Sequence, residues 1–430
     1  MRTLFCTTGT AALGETFTAA QFAKELLSQG HECYFIAPKL GSEYLQTLGF
    51  GISSILVLPS KKDIGLDFTK NHNYIQFTNF LKSINPDFII VADWWHFKEN
   101  GDSPNITYSL DWLNSNIKLG TFDHLGFAPQ GIKRRFEKLP FQINNYPPLP
   151  ERYSFIIRPC PHHDNINLTE NNIYYWSIYN DKLKIDSRQR EDVLYKYNGS
   201  DKVVIIHPVG IWQQKLIEGI FKVNNIEVDF YYDLFMKLMF NILSKFDNNI
   251  LYFFISGTVK EESVTRYNNI TLIKKPPLKH DVFMDYLAAS DIFITDNISS
   301  SNLSKAIFNN KIAIVYKNSL NMQTDLSKHS YVQSLELLNI INLLKNNNLL
   351  FPYLSFPIGL NELEDMYINN TFSSTFIQQE LFDLDGNYKL FDNIFNNESF
   401  RDKLTIKQNK YISNNSKLLS AEEILLRNST

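Results

Sequence analysis

Two series of strand-length apolar runs, each alternating with segments of helical period, occupy most of this 430-residue chain. That alternation restricts it to α/β architectures with parallel sheets, because a parallel strand must return through a crossover, usually a helix. The first series opens with Thr3 to Cys6 as a strand, a small-residue turn from Thr7 to Gly14, and a helix from about Thr16 to Gln29. Phe17, Ala20, Ala23, Leu26 and Leu27 recur there at the spacing of one buried helix face. Gly30 stops the helix, and His31 to Ala37 reads as the next strand. Ile55 to Leu58 follows as a strand and Tyr74 to Ser83 as a helix. Pro86 to Asp93 then reads as a strand buried on both faces that ends in a carboxylate.

From Gly131 to about Asp201 the periodicity weakens, and Pro147, Pro148, Pro150, Pro159 and Pro161 punctuate it, which reads as loops and an interdomain connection. The second series starts at Val203 to Pro208, with a long helix over Tyr231 to Phe246 and strands at Ile250 to Ser256 and Asn269 to Lys274. A helix at Val282 to Ala289, a strand at Asp291 to Thr295, a helix at Ser301 to Asn309 and a strand at Lys311 to Val315 complete it. From Ser334 onward the pattern is helical with Asn-rich breaks. The expected division is a first doubly wound domain over 1–195, a second over 202–375, and a helical tail over 376–430 that is a candidate to pack back on the first.

With 44% hydrophobic and 20% charged residues, wholesale disorder is excluded. The balance of 42 basic and 45 acidic side chains leaves no global electrostatic footprint for nucleic acid or an anionic membrane, and Lys133-Arg134-Arg135 is a local basic patch at most. Three cysteines, Cys6, Cys33 and Cys160, fit neither a disulfide framework nor a zinc spacing, which suggests a reducing compartment. The apolar start is broken at Thr7, Thr8, Gly9 and Thr10, so no cleavable signal is expected. No apolar run approaches the roughly 20 residues of a membrane helix. A cytoplasmic protein without an integral membrane segment is the expectation.

The turn Gly14-Glu15-Thr16-Phe17-Thr18, followed by Gly30-His31-Glu32-Cys33, resembles the first loop and second strand of the two-domain GT-B glycosyltransferases. The likeness is to the group that includes macrolide and plant UDP-glycosyltransferases and MurG-type enzymes. There the loop reads Gly-His-x-x-Pro, so Glu15 stands where the family has its catalytic His. The stretch Thr295-Asp296-Asn297-Ile298-Ser299-Ser300-Ser301-Asn302-Leu303-Ser304 is similar to the family's donor loop, Thr-His-Cys-Gly-Trp-Asn-Ser-Thr-x-Glu. Asp296 replaces the phosphate-binding His and Ser304 the ribose-binding Glu. Lys274 to His280 occupies the place where the family reads the nucleotide base. The resemblance implies two Rossmann-like domains facing each other across a cleft, and a metal-independent transfer of sugar from a nucleotide-activated donor, with no other cofactor.

Such a transfer needs a base for the acceptor proton and a stabiliser for the departing diphosphate. Ligands of open α/β sheets bind beyond the carboxyl ends of the strands, where Glu15, Asp93, the Ser256-Gly257-Thr258 turn and residues 296–304 are expected. Ser299, Ser300 and Ser301 at a helix start either bind an anion with hydroxyls and free N–H groups or cap the helix. Lys305 either adds a cation to that anion or faces solvent. Asp296 would oppose a diphosphate unless protonated, paired or turned to a sugar hydroxyl. Glu15 serves as base only if burial or a neighbour such as Asp93 raises its carboxyl toward neutrality; otherwise it is an early-helix carboxylate favoured by the dipole.

Asp93-Trp94-Trp95-His96 and Asp123-His124 each bring a carboxylate near an imidazole, although adjacent residues of a strand face opposite ways. The catalytic candidates are therefore Glu15, Asp93 and His124. The donor-side candidates are Gly14, His207, Gly210, Gly257, Thr258, His280, Asp296, Ser299, Ser300, Ser301 and Lys305, with no metal ligand among them. Trp94, Trp95, Trp112 and Trp212 are either core or an aromatic platform for sugar or an apolar acceptor. His207-Pro208 followed by a Ser-Ser pair also resembles GT-B enzymes that use CMP-sugars. The leading expectation is a glycosyltransferase acting on a small-molecule, lipid or peptide acceptor. The alternatives are a diverged binding protein of a biosynthetic complex, a CMP-sugar transferase, and a sugar epimerase on the same fold.

Overall fold

The computed structural model describes residues 1–9, 13–59, 70–97, 107–110, 117–133, 145–161, 171–179, 187–227, 229–325, 335–368 and 370–429. The chain divides into two compact units. The first comprises Met1–Phe136, Phe141–Asn180 and Asn414–Thr430. Its elements in chain order are β1 (Arg2–Cys6), α1 (Gly14–Ser28), β2 (Glu32–Ala37), α2 (Lys39–Thr47), β3 (Ile55–Val57), α3 (Lys70–Ile84), β4 (Phe88–Val91), β5 (Lys118–Phe122), β6 (Ile132–Lys133), β7 (Asn145–Tyr146), β8 (Phe155–Cys160) and β9 (Ile173–Ser177). Seven of these strands form one sheet in the order β3-β2-β1-β4-β5-β8-β9, every pair parallel. β6 and β7 pair separately, antiparallel.

The apolar runs follow from two-sided burial. Leu4, Phe5 and Cys6 of β1 and all of Phe88–Val91 are buried, as a central parallel strand with helices on both faces requires. Helix α1 buries Phe17, Ala20, Ala23 and Leu26 together with Ala19 and Phe22, whereas Leu27, expected on that face, is 44% exposed. Leu27 lies about 100° round the helix from Leu26, which carries it off the stripe. Gly120 of β5 is required by packing: a Cβ there would lie 2.3 Å from the Phe155 ring.

The region after Gly131 is not only connection, as its prolines suggested. β8 and β9 extend the first sheet and α4 (Ser187–Lys196) opens the second unit. Pro159 is tolerated within β8 because pairing to β5 ends at Ile157. Beyond that point β8 carries a ladder only toward β9, so one missing donor is harmless. The side chains of the Lys133-Arg134-Arg135 patch, like Trp112, lie outside the described residues.

The second unit comprises Glu137–Pro140 and Asp181–Ser413. After α4 come β10 (Val203–Pro208), α5 (Ile211–Val223), α6 (Phe230–Leu243), β11 (Ile250–Ile255), β12 (Ser263–Tyr267), β13 (Ile270–Lys275), α7 (His280–Ala289), β14 (Ile292–Thr295), α8 (Ser301–Phe308), β15 (Ile312–Lys317), α9 (Leu335–Asn346), α10 (Glu364–Ile368), β16 (Ile377–Glu380), α11 (Leu384–Asn396) and α12 (Glu398–Asn415). The sheet order is β12-β13-β11-β10-β14-β15-β16, parallel except for the antiparallel edge strand β12. The stretch after Ser334 thus supplies a strand, β16, as well as helices. Helix α13 (Ala421–Arg427) belongs to the first unit, where the Ala421 N–H donates to Glu25 at 2.9 Å.

The asparagine-rich breaks have a local cause. Asn85, Asn198, Asn225, Asn310 and Asn348 follow α3, α4, α5, α8 and α9, and each has positive φ. Asn is the non-glycine residue that best tolerates the left-handed conformation at a helix end. Where many chains use Gly, these five helices stop with Asn, while α1 and α2 stop at Gly30 and Gly49. Cys6, Cys33 and Cys160 are free and buried. Among the described residues no helix is long and apolar enough to cross a membrane.

Candidate functional site

In the first sheet the strand order reverses between β1 and β4. Crossovers leave to opposite sides at such a point and open a crevice at the carboxyl ends of the strands. Glu15 lies there in the first turn of α1. Asp93 and His96 bracket the short turn Trp94–His96 that follows β4, and His124 is the second residue after β5. Loops from three neighbouring strands thus bring two carboxylates and two imidazoles together.

The pairing crosses the sequence. The His124 backbone N–H donates to Asp93 Oδ1 at 3.2 Å, and His124 Nδ1 lies 2.9 Å from Asp93 Oδ2. His96 Nε2 is instead 3.2 Å from Glu15 Oε1, while the Thr8 hydroxyl donates to Glu15 Oε2 at 2.6 Å. His124 Nε2 is 3.0 Å from Thr18 Oγ1, whose own proton goes to the Gly14 carbonyl at 3.1 Å. Thr18 must then accept from His124, so Nε2 carries a proton in this arrangement. The remaining proton of the dyad lies between Nδ1 and Asp93.

Burial separates the four groups by role. The Asp93 side chain is 1% exposed and His124 16%, while Glu15 and His96 retain 18% and 22%. Burial pushes Asp93 up to about 7, with Glu15 adding to it against the opposing pull of His124 and His96. Burial also works to raise Glu15, but His96, His124 and the Thr8 bond outweigh it and hold the carboxyl near 2. Burial alone would lower both histidines; the carboxylates prevail, so His96 and His124 are raised. The condition set for Glu15 as a base, a carboxyl raised toward neutrality, is therefore met by Asp93 and not by Glu15. Glu15 and His96 form an ion pair, and Asp93 with His124 forms a dyad that holds its proton until about neutral pH.

Glu15, Asp93 and His96 each bring one potential ligand atom within 4.8 Å of the others, close enough for a divalent cation. A cation there would have to displace the proton that His96 Nε2 shares with Glu15. Asp123, expected beside His124 as a possible partner, faces elsewhere. It is fully buried and bonded to Arg158 and to the N–H groups of Phe127 and Ala128. Trp94 is anchored through its indole N–H to the Pro147 carbonyl at 3.1 Å. The Trp95 ring sits 4.8 Å from Trp94 and 5.6 Å from His96.

The second sheet has its own reversal between β10 and β14. The N-terminus of α5, capped by Gly210, and that of α8, capped by Ser300, follow those two strands. The Ser300 hydroxyl accepts the Asn302 N–H at 3.3 Å, so it is an N-cap. The Asn297 side-chain oxygen accepts from the Ser299 N–H and hydroxyl and from Ser355, which fixes the turn. Ser299 and Ser301 remain partly exposed.

Asp296 does not face that turn. It is 1% exposed and accepts from Gln213 Nε2 at 3.1 Å and from the Tyr232 hydroxyl at 3.2 Å. Burial pushes its carboxyl up to about 6 against these bonds. Both of its oxygens are thus taken up by partners inside the unit rather than by the serine turn. Lys305 is not solvent-facing either: it is 5% exposed, donates to Asn302 at 3.3 Å, and burial lowers it to about 8.

His207, expected to face a ligand, is fully enclosed among Tyr232, Phe235, Tyr252 and Phe254. Its Nδ1 is 2.9 Å from the Tyr252 hydroxyl, and burial lowers it to about 3, so it is a neutral core residue. Gly257 and Thr258 follow β11, where Ser256 bonds both Gln214 and Thr258; His280 starts α7. The roles of Thr8, Thr18, Gln213, Tyr232 and Arg158 had no local signature, since each depends on contacts distant in sequence or on the conformation of a turn.

The chain belongs to a family of unknown function (DUF6365), whose model matches residues 22–428. No curated protein matches it. Among solved structures, it is similar to a UDP-GlcNAc 2-epimerase from Neisseria meningitidis bound to UDP-GlcNAc, at 13% identity and a TM-score of 0.52, covering 99% of this chain and 100% of that one. The spinosyn forosaminyltransferase SpnP is 11% identical at a TM-score of 0.52, covering 99% and 98%. A glycosyltransferase from Rickettsia africae ESF-5 is 14% identical at a TM-score of 0.50, covering 99% and 96%. These likenesses show the fold, two Rossmann-like α/β units of the GT-B type.

Proposed function

We propose that this chain is a nucleotide-sugar-dependent glycosyltransferase in which His124, backed by Asp93, takes the acceptor proton. The observation that carries the reading is the Asp93–His124 dyad at the switch point of the first sheet. Asp93 is buried and fixes the ring, while His124 keeps enough exposure to meet a substrate hydroxyl. This is the division of labour between an orienting carboxylate and an imidazole base. The base form appears once the dyad gives up its proton, near neutral pH. For that step the acceptor hydroxyl takes the place of Thr18 at Nε2; its oxygen attacks the sugar carbon, its proton passes to Nε2, and the nucleoside diphosphate departs with the bonding pair.

On the donor side, the N-termini of α5 and α8 and the hydroxyls of Ser299 and Ser301 are the groups suited to a diphosphate. The withdrawal of Asp296 supports this use of the turn. Helix N–H groups and hydroxyls can bear the leaving-group charge without a metal, so EDTA should leave turnover unchanged.

The test begins with thermal shifts against UDP-, dTDP-, GDP- and CMP-sugars, followed by turnover of the stabilising donor with and without candidate acceptors. One nucleotide class should raise Tm, and donor consumption should depend on acceptor. Silence across the panel would overturn the reading in favour of a binding protein.

The second carboxylate–imidazole pair, Glu15–His96, favours one further reading. Epimerisation needs one group to remove a proton and another to return it, and two pairs of opposite protonation suit that task. A changed sugar formed without acceptor would establish the epimerase instead.

A further inference from the structure

The loop that presents His124 is gripped by a charge pair outside the acid–base cluster. Asp123 is fully buried, and its two oxygens accept the Phe127 N–H at 2.9 Å and the Ala128 N–H at 3.1 Å. Arg158 of β8 closes the other side. Its Nε lies 3.5 Å from Asp123 Oδ2, one terminal nitrogen donates to the Ala128 carbonyl at 2.9 Å, and the other to the Tyr175 hydroxyl of β9 at 3.0 Å. One guanidinium therefore ties the start and end of the 123–128 turn to the two strands beyond it.

We propose that Arg158 and Asp123 are positioning residues that hold His124 against Asp93, an inference that rests on His124 being the proton-handling group. Regular structure ends at Phe122, so nothing in the sheet ladder itself fixes the residue after Asp123. His124 reaches Asp93 through both its backbone N–H and its ring, and both contacts depend on the backbone torsions of residues 123 and 124. A turn held at both ends by charge-assisted bonds has little freedom there. A buried ion pair adds little net stability against apolar replacements, because desolvation offsets the attraction. What an apolar pair could not supply is acceptors for Phe127 and Ala128 and a donor for the Ala128 carbonyl.

The test reads His124 directly and needs no substrate. The full chain is labelled with [13C-ε1]histidine, the His124 signal is assigned by its loss in His124→Gln, and its titration is followed by NMR. In Arg158→Met the His124 midpoint should fall by roughly 1 pH unit as the Asp93 contact loosens, because Asp123, left without its counter-charge, has a smaller upward pull on the ring than Asp93 has. Arg158→Lys, which keeps the charge but not the fork, should fall part of the way, and Tyr175→Phe should shift it less in the same direction. The His31 signal, anchored at 2.9 Å to Glu422 in the same unit, should stay in place and report that the unit is folded. A folded Arg158→Met variant with an unmoved His124 titration would overturn the proposal. If that variant does not fold, unmoved titrations in Arg158→Lys and Tyr175→Phe would overturn it equally. A wild type that turns over no nucleotide sugar would count against the functional reading alone.

Discussion

Asp93 meets His124 twice, through the ring at 2.9 Å and through the backbone N–H at 3.2 Å, across 31 residues of sequence. His96, three residues from Asp93, pairs with Glu15 instead. This crossing gives the four groups two separate tasks, an ion pair and a proton-sharing dyad.

The dyad makes the first prediction. Asp93→Asn and His124→Gln should each lower kcat/KM on the stabilising donor by about 10²- to 10⁴-fold, the range for loss of a general base. In the wild type the acid limb of the kcat/KM profile should lie near pH 7, where Asp93 and its partner lose their shared proton. It should move or vanish in Asp93→Asn. A sloping profile in that variant that superimposes on the wild type would remove Asp93 from the mechanism.

Asp93 also predicts a stability trend. Its folded value is raised from 3.8 to about 7, so the folded state holds this proton more tightly than the unfolded chain. The stabilisation is complete below about pH 4 and is lost as pH rises through 7. Thermal melts from pH 4 to 8 should therefore show the Tm difference moving steadily in favour of Asp93→Asn, then levelling.

Glu15 has the opposite sign. Its carboxyl is lowered from 4.5 to about 2, so its contribution is present above pH 4.5 and disappears as pH falls through 2. His96 is raised, so its share is present below 6.5 and lost as pH rises through its folded value. Glu15→Gln should thus be most destabilising between about pH 4.5 and 6.5, on the order of 2 kcal/mol. Denaturant melts at pH 3, 5.5 and 8.5 check this; a penalty that does not peak at 5.5 would rule out the ion pair.

The two-series fold was legible because parallel strands buried on both faces must be continuously apolar, as Phe88 to Val91 and Val203 to Ile206 are. The strands β8 and β16 were hidden for different reasons. Pro159 masked the first, while the Ile377 to Glu380 segment of the second is an edge strand with too few apolar residues to show. The positions of Glu15, Asp93 and His124 followed from the rule that loops after strands carry sites. Their pairing did not, because it depends on which loops lie next to each other in the sheet. Likewise the inward turn of Asp296 needed Gln213 and Tyr232, residues on two other helices. His207 failed as a candidate because its ring points into the aromatic core rather than past the end of β10.

Asp296 yields a pair of substitutions with different outcomes. Asp296→Asn keeps an acceptor for Gln213, turns the Tyr232 hydroxyl from donor to acceptor of the new amide, and removes a carboxyl that burial pushes up to about 6. The wild type should lose stability relative to this variant as pH rises from about 4 to 6, by the same sign as Asp93. Asp296→Ala leaves the buried Tyr232 hydroxyl without its acceptor and Gln213 with only its bond to the Phe356 carbonyl, and should cost about 1–3 kcal/mol at any pH. Nucleotide affinity at pH 7.5, read by calorimetry, should be unchanged in Asp296→Asn; a gain of tenfold or more would mean that the carboxylate does oppose the bound diphosphate.

The serine turn separates capping from anion binding. Ser300 is the cap of α8, so Ser300→Ala should lower stability by about 0.5–2 kcal/mol and weaken nucleotide binding only through that loss of order. Ser299 bonds Asn297 through both its N–H and its hydroxyl. Its hydroxyl can also accept from or turn toward a ligand, whereas Ser301 stands in the first turn of α8, partly exposed. The double change Ser299→Ala with Ser301→Ala should therefore cost less stability than Ser300→Ala but weaken nucleoside diphosphate binding about tenfold or more, with little change for the free nucleoside. That contrast is the measurement of interest, because a lost cap affects both ligands alike, while a lost phosphate contact affects only the diphosphate. Equal losses for nucleoside and diphosphate would reduce the turn to a structural cap.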